Sequence, residues 1–222
     1  MNAVKSSSME QSAQDWEASW WASCNFSTFG EEAKQLTYAN LMGLVNESRE
    51  GKWPVYDLAG KSVIDLGGGP VSMLLKTVNG GTLTVVDPCP YPEWVGARYE
   101  AAGITQYVEG AEGFDRDGGY DEAWCYNCLQ HVENPEAVIA TARRCAKRLR
   151  IFEWIETETN VGHPHSLHAG ELNEWLGGTG TVGMVNENGA VGLAYWGVFR
   201  LDVRAADNGA PLGEHAGVAG TP

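Results

Sequence analysis

The sequence predicts an α/β fold: a three-layer sandwich around a seven-stranded, mostly parallel sheet that ends in an antiparallel hairpin. Three observations predict it. From Ser62 onward, short runs rich in Val, Ile and Leu alternate with helical stretches, as parallel strands joined by crossovers do. The first run, Ser62-Val63-Ile64-Asp65-Leu66, leads straight into Gly67-Gly68-Gly69-Pro70, a tight turn at a strand end where glycine permits positive φ. Near the C-terminus, strand-like residues 181–186 and 190–203 flank Glu187-Asn188-Gly189, an Asn-Gly hairpin signal.

Taken in order, residues 1–12 are polar, lack periodicity and read as disordered. A helix predicted over 15–24 carries Trp16, Trp20 and Trp21 as an aromatic stripe, and a second over 31–50 places Leu36, Ala39, Leu41 and Leu44 on overlapping faces. Residues 13–60 thus form an N-terminal helical segment. Lys34, Gln35 and Tyr38 are its polar residues to test for ligand contact. Residues 61–203 make the sheet domain. A helix is predicted over 71–78. A second strand over 82–87 ends in Asp87, and the following Pro88-Cys89-Pro90 cannot be helical. Helix 91–102 and strand 105–108 come next, then Glu109-Gly110-Ala111-Glu112. So little chain remains before the next strand that the intervening helix must shrink to a turn. Residues 120–132 form the fourth strand and its exit loop, after which Asn134-Pro135 opens a helix that runs to 147. A strand over 149–155, a helix over 169–176 and the hairpin complete the fold, and residues 204–222 form a flexible Ala/Gly-rich tail.

Glycine-rich strand–turn units serve several nucleotide cofactors. The dinucleotide fingerprint G-x-G-x-x-G would need glycine where Ser72 stands. Asp65-x-Gly67-x-Gly69 instead resembles motif I of the class I S-adenosylmethionine-dependent methyltransferases, a Rossmann-like family; the sequence departs at Val71, where many members carry a further glycine. The segment from Asp121 through Leu129-Gln130-His131-Val132 resembles the D-x7-L-x-H-V stretch of the small-molecule methyltransferase group. The terminal hairpin fits the same family. Residues 13–60 stand in the place where its members commonly carry a lid, with plain packing as the alternative role of the tryptophans.

The resemblance implies S-adenosylmethionine as cofactor and S-adenosylhomocysteine as product. It places Asp65, Gly67, Gly68, Gly69 and Pro70 at the amino-acid end of the cofactor. Asp87 and Pro88 fall at the ribose, Ala111 and Glu112 at the adenine, and Asn127 and Leu129 beneath the methyl group. His131, at the strand exit, is the candidate base, with capping of the next helix as its alternative role. His163-Pro164-His165-Ser166-Leu167-His168 follows the fifth strand on the ligand side. His165 is a second candidate for proton transfer; His163, His168, Tyr38 and Trp154 are candidates for acceptor binding. A metal on His163 and His165 with a third His, Glu153 or Glu156 is the alternative, but the family's metal ligands lie elsewhere, so none is assigned. Asp87-Pro88-Cys89-Pro90-Tyr91 resembles motifs of DNA methylases, but it follows the second strand where theirs follow the fourth. Cys125-x-x-Cys128 falls in a strand, where alternate side chains diverge, and no second cysteine pair exists for zinc.

The net charge of −14, from 29 acidic and 15 basic residues, opposes binding of phosphate-rich polymers. The cluster Arg143, Arg144, Lys147, Arg148 and Arg150 suits a helix C-terminus, where cations meet the dipole. A small-molecule acceptor is therefore expected, without nucleic acid. No apolar run is long enough to span a membrane. Five cysteines without framework spacing suit a reducing, cytoplasmic compartment. A non-catalytic cofactor-binding member of the fold and a nicotinamide-dependent reductase are the competing readings.

Overall fold

The computed structural model describes residues 13–21, 29–48, 53–116, 118–187 and 190–201. The expectations for residues 1–12, for the tail and for the Asn188-Gly189 turn lie outside the described residues.

In chain order the elements are helix α1 (residues 13–21), α2 (Phe29–Leu41), strands β1 (Tyr56–Asp57), β2 (Val63–Leu66), β3 (Thr77–Val78) and β4 (Leu83–Val86), then α3 (Glu93–Ala101), β5 (Ile104–Tyr107) and β6 (Glu122–Tyr126). They continue with α4 (Pro135–Cys145), β7 (Arg148–Trp154), α5 (Ala169–Leu176), β8 (Thr181–Glu187) and β9 (Ala190–Arg200). The main sheet has the order β5-β4-β2-β6-β7-β9-β8. Its β5-β4-β2-β6-β7 part is parallel, and β9 joins β7 and β8 antiparallel, as the hairpin signal predicts. Every residue of β2 and β6 is buried, as strands covered on both faces must be.

Alternation along the strands makes the three layers. Ile64, Leu66, Ala123, Cys125, Leu149 and Ile151 face one core, packed with Val138, Ile139 and Ala142 of α4 and Leu172 and Leu176 of α5. Val63, Val85, Trp124 and Phe152 face the other, with Tyr38 and Met42 at α2 and Val95 and Tyr99 of α3. α4 starts as its sequence directs, with the Asn134 side chain accepting Ala137 N–H at 3.1 Å and Pro135 in the first turn. α2 is shorter than expected. It stops at Leu41 because Gly43, at φ +71°, turns the chain and lets Leu44 N–H bond back to Ala39 O at 2.8 Å.

The helix expected over 71–78 does not form. Two short 3₁₀ turns, Gly69–Val71 and Met73–Lys76, replace it, and Thr77–Val78 form β3 beside β1 in a small parallel pair. Ser72 causes the break. It is extended at ψ 142°, its Oγ accepts Leu74 N–H at 3.1 Å, and its hydroxyl donates to Asp65 Oδ2 at 2.5 Å. A side chain tied into the strand below cannot also continue a helix.

The basic cluster is spent on structure. Arg143 donates to Trp175 O, Arg144 to Phe114 O, and Lys147 pairs with Asp121 at 2.8 Å. Arg150 is 8 % exposed and grips Glu122, itself 2 % exposed, through two bonds of 2.6 and 3.2 Å. Its remaining nitrogen donates to Met42 O at 2.6 Å, which ties the sheet to the end of α2. No helix among the described residues is long and apolar enough to cross a membrane.

Candidate active site

From β2 the chain proceeds to β4 and β5 on one side, then returns to β6 and β7 on the other. Such a reversal opens a crevice beyond the C-terminal ends of the central strands. Here the crevice is a cavity of about 640 Å³, floored by the turn after β2 and roofed by α1 and α2. That volume is ample for a cofactor-sized ligand.

Gly67 to Gly69 form the floor, with φ of +78° at Gly67 and +62° at Gly69. A Cβ on Gly67 would lie 2.6 Å from Cys128 Cβ and 2.7 Å from Cys128 Sγ, so the turn sits directly on the loop after β6. Asp87, at the end of β4, joins the two strand ends: its carboxylate accepts Gly69 N–H at 2.9 Å and Cys89 N–H at 3.0 Å. Burial pushes this carboxyl up to about 6. Pro88, Ala111, Glu112 and Asn127 also line the cavity. Asn127 reverses the chain at φ +52°, and its side chain accepts from Gln130 at 3.2 Å.

Three residues expected at the cofactor stand behind the wall instead. Asp65 is fully buried beneath the turn, where Oδ2 accepts from Ser72 and, at 2.7 Å, from Tyr126. Its Oδ1 has no hydrogen-bond partner, and burial pushes the carboxyl up to about 7. Pro70 is buried and offers only its carbonyl, to Arg98. Leu129 belongs to the core, because the turn at Asn127 rotates its side chain inward. Asp65 and Pro70 therefore shape the turn from behind the cavity wall.

His131 stands in the wall with Nδ1 between two acceptors, Gly162 O at 2.7 Å and Glu17 Oε1 at 3.0 Å. Nδ1 therefore carries the proton and Nε2 is left as the acceptor, 3.4 Å from the Gln130 amide nitrogen. Burial holds His131 down at about 4, so the ring is neutral at pH 7. His163 packs edge-on to it, 4.6 Å between ring centroids, and burial holds it at about 4 as well. The other two histidines of the loop are not at the cavity. His165 Nε2 meets Glu133 O at 3.1 Å, and His168 is exposed at the start of α5, its N–H donating to Glu171 at 3.2 Å. Their loop leaves the sheet edge and turns away to begin α5.

Tyr38 and Trp154 line the opposite side and form a chain: Trp154 Nε1 donates to Tyr38 Oη at 3.1 Å, which donates to Glu187 at 2.8 Å. Lys34 and Gln35 reach the wall from α2, and Gln35 also donates to Val71 O. The stripe of α1 supplies Trp16, Trp20 and Trp21 to the roof. Gly162 lets the helix dock, because a Cβ there would enter the Trp16 ring.

Glu17 and Glu187 escaped the sequence reading. Glu17 adjoins the tryptophan stripe, the one signal that could have drawn it in. Cys128 was read as diverging from Cys125, yet Asn127 folds it back until the sulfurs are 3.3 Å apart.

No protein-family model matches the chain, and no characterised protein matches it by sequence. Solved structures do match its fold. The 1,6-didemethyltoxoflavin-N1-methyltransferase of Burkholderia thailandensis, crystallised with 1,6-didemethyltoxoflavin and S-adenosylhomocysteine, is 16% identical, with a TM-score of 0.56 over 90% of this chain and 88% of that one. The magnesium protoporphyrin IX methyltransferase of Synechocystis PCC 6803, with S-adenosylhomocysteine bound, is 15% identical, with a TM-score of 0.55 over 84% of this chain and 99% of that one. DhpI, also in complex with S-adenosylhomocysteine, is 14% identical, with a TM-score of 0.61 over 88% of this chain and 98% of that one. The chain thus has the fold of class I S-adenosylmethionine-dependent methyltransferases.

Proposed function

We propose that the protein is an S-adenosylmethionine-dependent methyltransferase with a small-molecule acceptor. The observation that carries this is the charge at the strand ends. Glu17, Asp87, Glu112 and Glu187 line the cavity, against Lys34 as the one Lys or Arg among the described lining residues. A dinucleotide brings an anionic pyrophosphate that needs a helix N-terminus above the glycine turn, and here that helix is replaced by 3₁₀ turns. A cationic sulfonium cofactor suits the same surroundings.

The residues present fit such a cofactor. Gly67 to Gly69 clear side chains from the floor, and Asp87 holds a carboxylate at the strand end, where ribose hydroxyls can donate to it. When bound, the cofactor supplies an activated methyl group. The protein places the acceptor in line with it, excludes water and removes a proton where the acceptor carries one. The rings of Trp16, Trp20, Trp154 and Tyr38 give the acceptor an aromatic wall, which favours a flat, largely apolar small molecule over a polymer. His131 Nε2 would take the proton, while Glu17 stabilises the imidazolium through Nδ1.

Calorimetric titration with S-adenosylmethionine, S-adenosylhomocysteine and NAD(H) tests the cofactor. Micromolar binding of the first two and none of the third is expected, with Asp87→Asn weakening both by about 10- to 100-fold, as loss of charged hydrogen bonds does. Binding of NAD(H) alone would overturn the reading. The proton path has its own test in methyl-transfer assays on an acceptor found by screening. His131→Ala should lower kcat by about 10²- to 10⁴-fold. Glu17→Gln removes a negative charge beside Nδ1, so the acid limb of the pH–rate profile, measured at saturating cofactor, should move to lower pH. An unmoved limb would remove Glu17 from the proposal.

A further inference from the structure

We propose that Cys125 and Cys128 form a reversible dithiol–disulfide pair whose oxidation disturbs the floor of the cavity. Their sulfurs are 3.3 Å apart, so closing to the roughly 2.05 Å of a disulfide needs a movement of little more than an ångström. The turn at Asn127 makes this approach, since an unbroken strand would point the side chains apart. Cys89 and Cys145, the other described cysteines, are buried free thiols outside this pair.

Access is asymmetric. Cys125 is fully buried, whereas Cys128 is 6 % exposed and lines the cavity. A small oxidant would therefore reach Cys128 first, through the ligand's own space. Glu153 lies beneath the pair. Its Oε1 accepts the N–H groups of Cys128 and Leu129, both at 3.1 Å, and lies 3.7 Å from Cys125 Sγ; its Oε2 is buried without a partner. Burial pushes the Glu153 carboxyl up to about 8. The bond between the sulfurs raises the Cys128 thiol, with burial second. That bond pulls Cys125 down, but burial and the Glu153 charge outweigh it, so thiolate is scarce and the pair answers sustained rather than brief oxidation.

With hydrogen peroxide as oxidant the chemistry balances. The Cys128 sulfur attacks one peroxide oxygen, the O–O bond breaks, and a sulfenic acid and one water result. The Cys125 sulfur then attacks the sulfenic sulfur. The S–S bond forms, the S–O bond breaks, and the departing hydroxide leaves as a second water with the Cys125 proton, for which Glu153 is the nearest relay. Two thiols have lost two electrons and two protons, and peroxide has become two waters. A small thiol reverses the step by exchange. In the dithiol state Cys128 donates to Leu66 O at 3.2 Å, directly before Gly67. Oxidation removes that proton and draws the sulfur away, so the turn loses its support.

The same three side chains place donor atoms within 4.8 Å of one another, as a metal site would. Glu153 Oε1 is already taken by two backbone N–H groups, and with Oε2 the group offers three donors where a structural zinc takes four, which favours the disulfide.

The test exposes the purified full chain to hydrogen peroxide, alkylates remaining thiols under denaturing conditions and maps the products by mass spectrometry. The expected product has lost the mass of two hydrogens, carries a Cys125–Cys128 cross-link and reverts with dithiothreitol. Cys125→Ser and Cys128→Ser should each abolish it. S-adenosylhomocysteine at about ten times its dissociation constant should slow the reaction about tenfold, since only the free fraction reacts. Two thiols still alkylated after prolonged oxidation, or zinc retained stoichiometrically through dialysis, would overturn the proposal. A disulfide that forms equally fast with and without the ligand would overturn the route through the cavity. The cross-link is read without any activity, so its failure is separable from failure of the methyltransferase reading.

Discussion

Arg150→Ala should destabilise the protein by about 3 kcal/mol, read as a shift in the urea midpoint at pH 7. The substitution strands Glu122, which the sheet buries almost completely. Burial is the largest single influence on that carboxyl and would raise it, but the Arg150 bond and charge, with Lys61 at 3.0 Å, outweigh burial and hold it at about 2. A carboxylate depressed in the folded state contributes stability above its ordinary range of about 4 and loses it as pH falls toward 2. The gap between wild type and variant should therefore narrow from pH 5 toward pH 2. Arg150 also holds Met42 O, so part of the loss belongs to the anchoring of α2. An apolar pair, Glu122→Leu with Arg150→Met, should recover much of the stability, because it leaves no buried charge. A variant as stable as wild type at pH 7 would show that the ion pair is dispensable.

Gly67→Ala comes second, and it should strike binding and stability together. The residue is at φ +78°, which costs an L side chain about 1–2 kcal/mol. Its Cβ would also press against Cys128 at 2.6 Å, adding about 1–3 kcal/mol of overpacking. Either the turn or the Asn127–Cys128 loop must move, and both belong to the cavity wall. Calorimetry should find S-adenosylmethionine binding lost, with the denaturation midpoint lowered. Gly170→Ala is the control: it lies in α5, has nothing within 4 Å of its Cβ position and should be neutral or slightly stabilising. Retained affinity in Gly67→Ala would mean that the turn is not the floor of the ligand site.

The legible parts of this molecule were those set by local chemistry. Val63 to Leu66 and Leu83 to Val86 announce buried strands by composition alone, and Gly67 and Gly69 mark positive φ, which glycine adopts without strain. α5 was legible to the residue because Gly177 ends it at φ +62°. The misread parts depend on distant partners. Residues 71–78 have helical spacing, but the bond from Ser72 to Asp65 overrides it. Cys128 could be placed only by knowing that Asn127 would adopt a left-handed conformation. Glu17 meets His131 across more than a hundred residues, and no periodicity encodes such a pairing. The histidines of 163–168 share a loop, but only His163 stays at the cavity once the chain turns toward α5.

The cavity wall draws on both extremes of the described chain, Glu17 and the tryptophans from the first helix and Glu187 from the last hairpin. The bond from Tyr38 to Glu187 spans 149 residues. During synthesis the parallel strands β2, β4 and β6 can pair well before the hairpin leaves the ribosome, yet the wall is incomplete until β8 has docked. A nascent or truncated chain can thus own most of the sheet without owning the site. Ligand occupancy reports that the chain has been made and folded as far as the last hairpin.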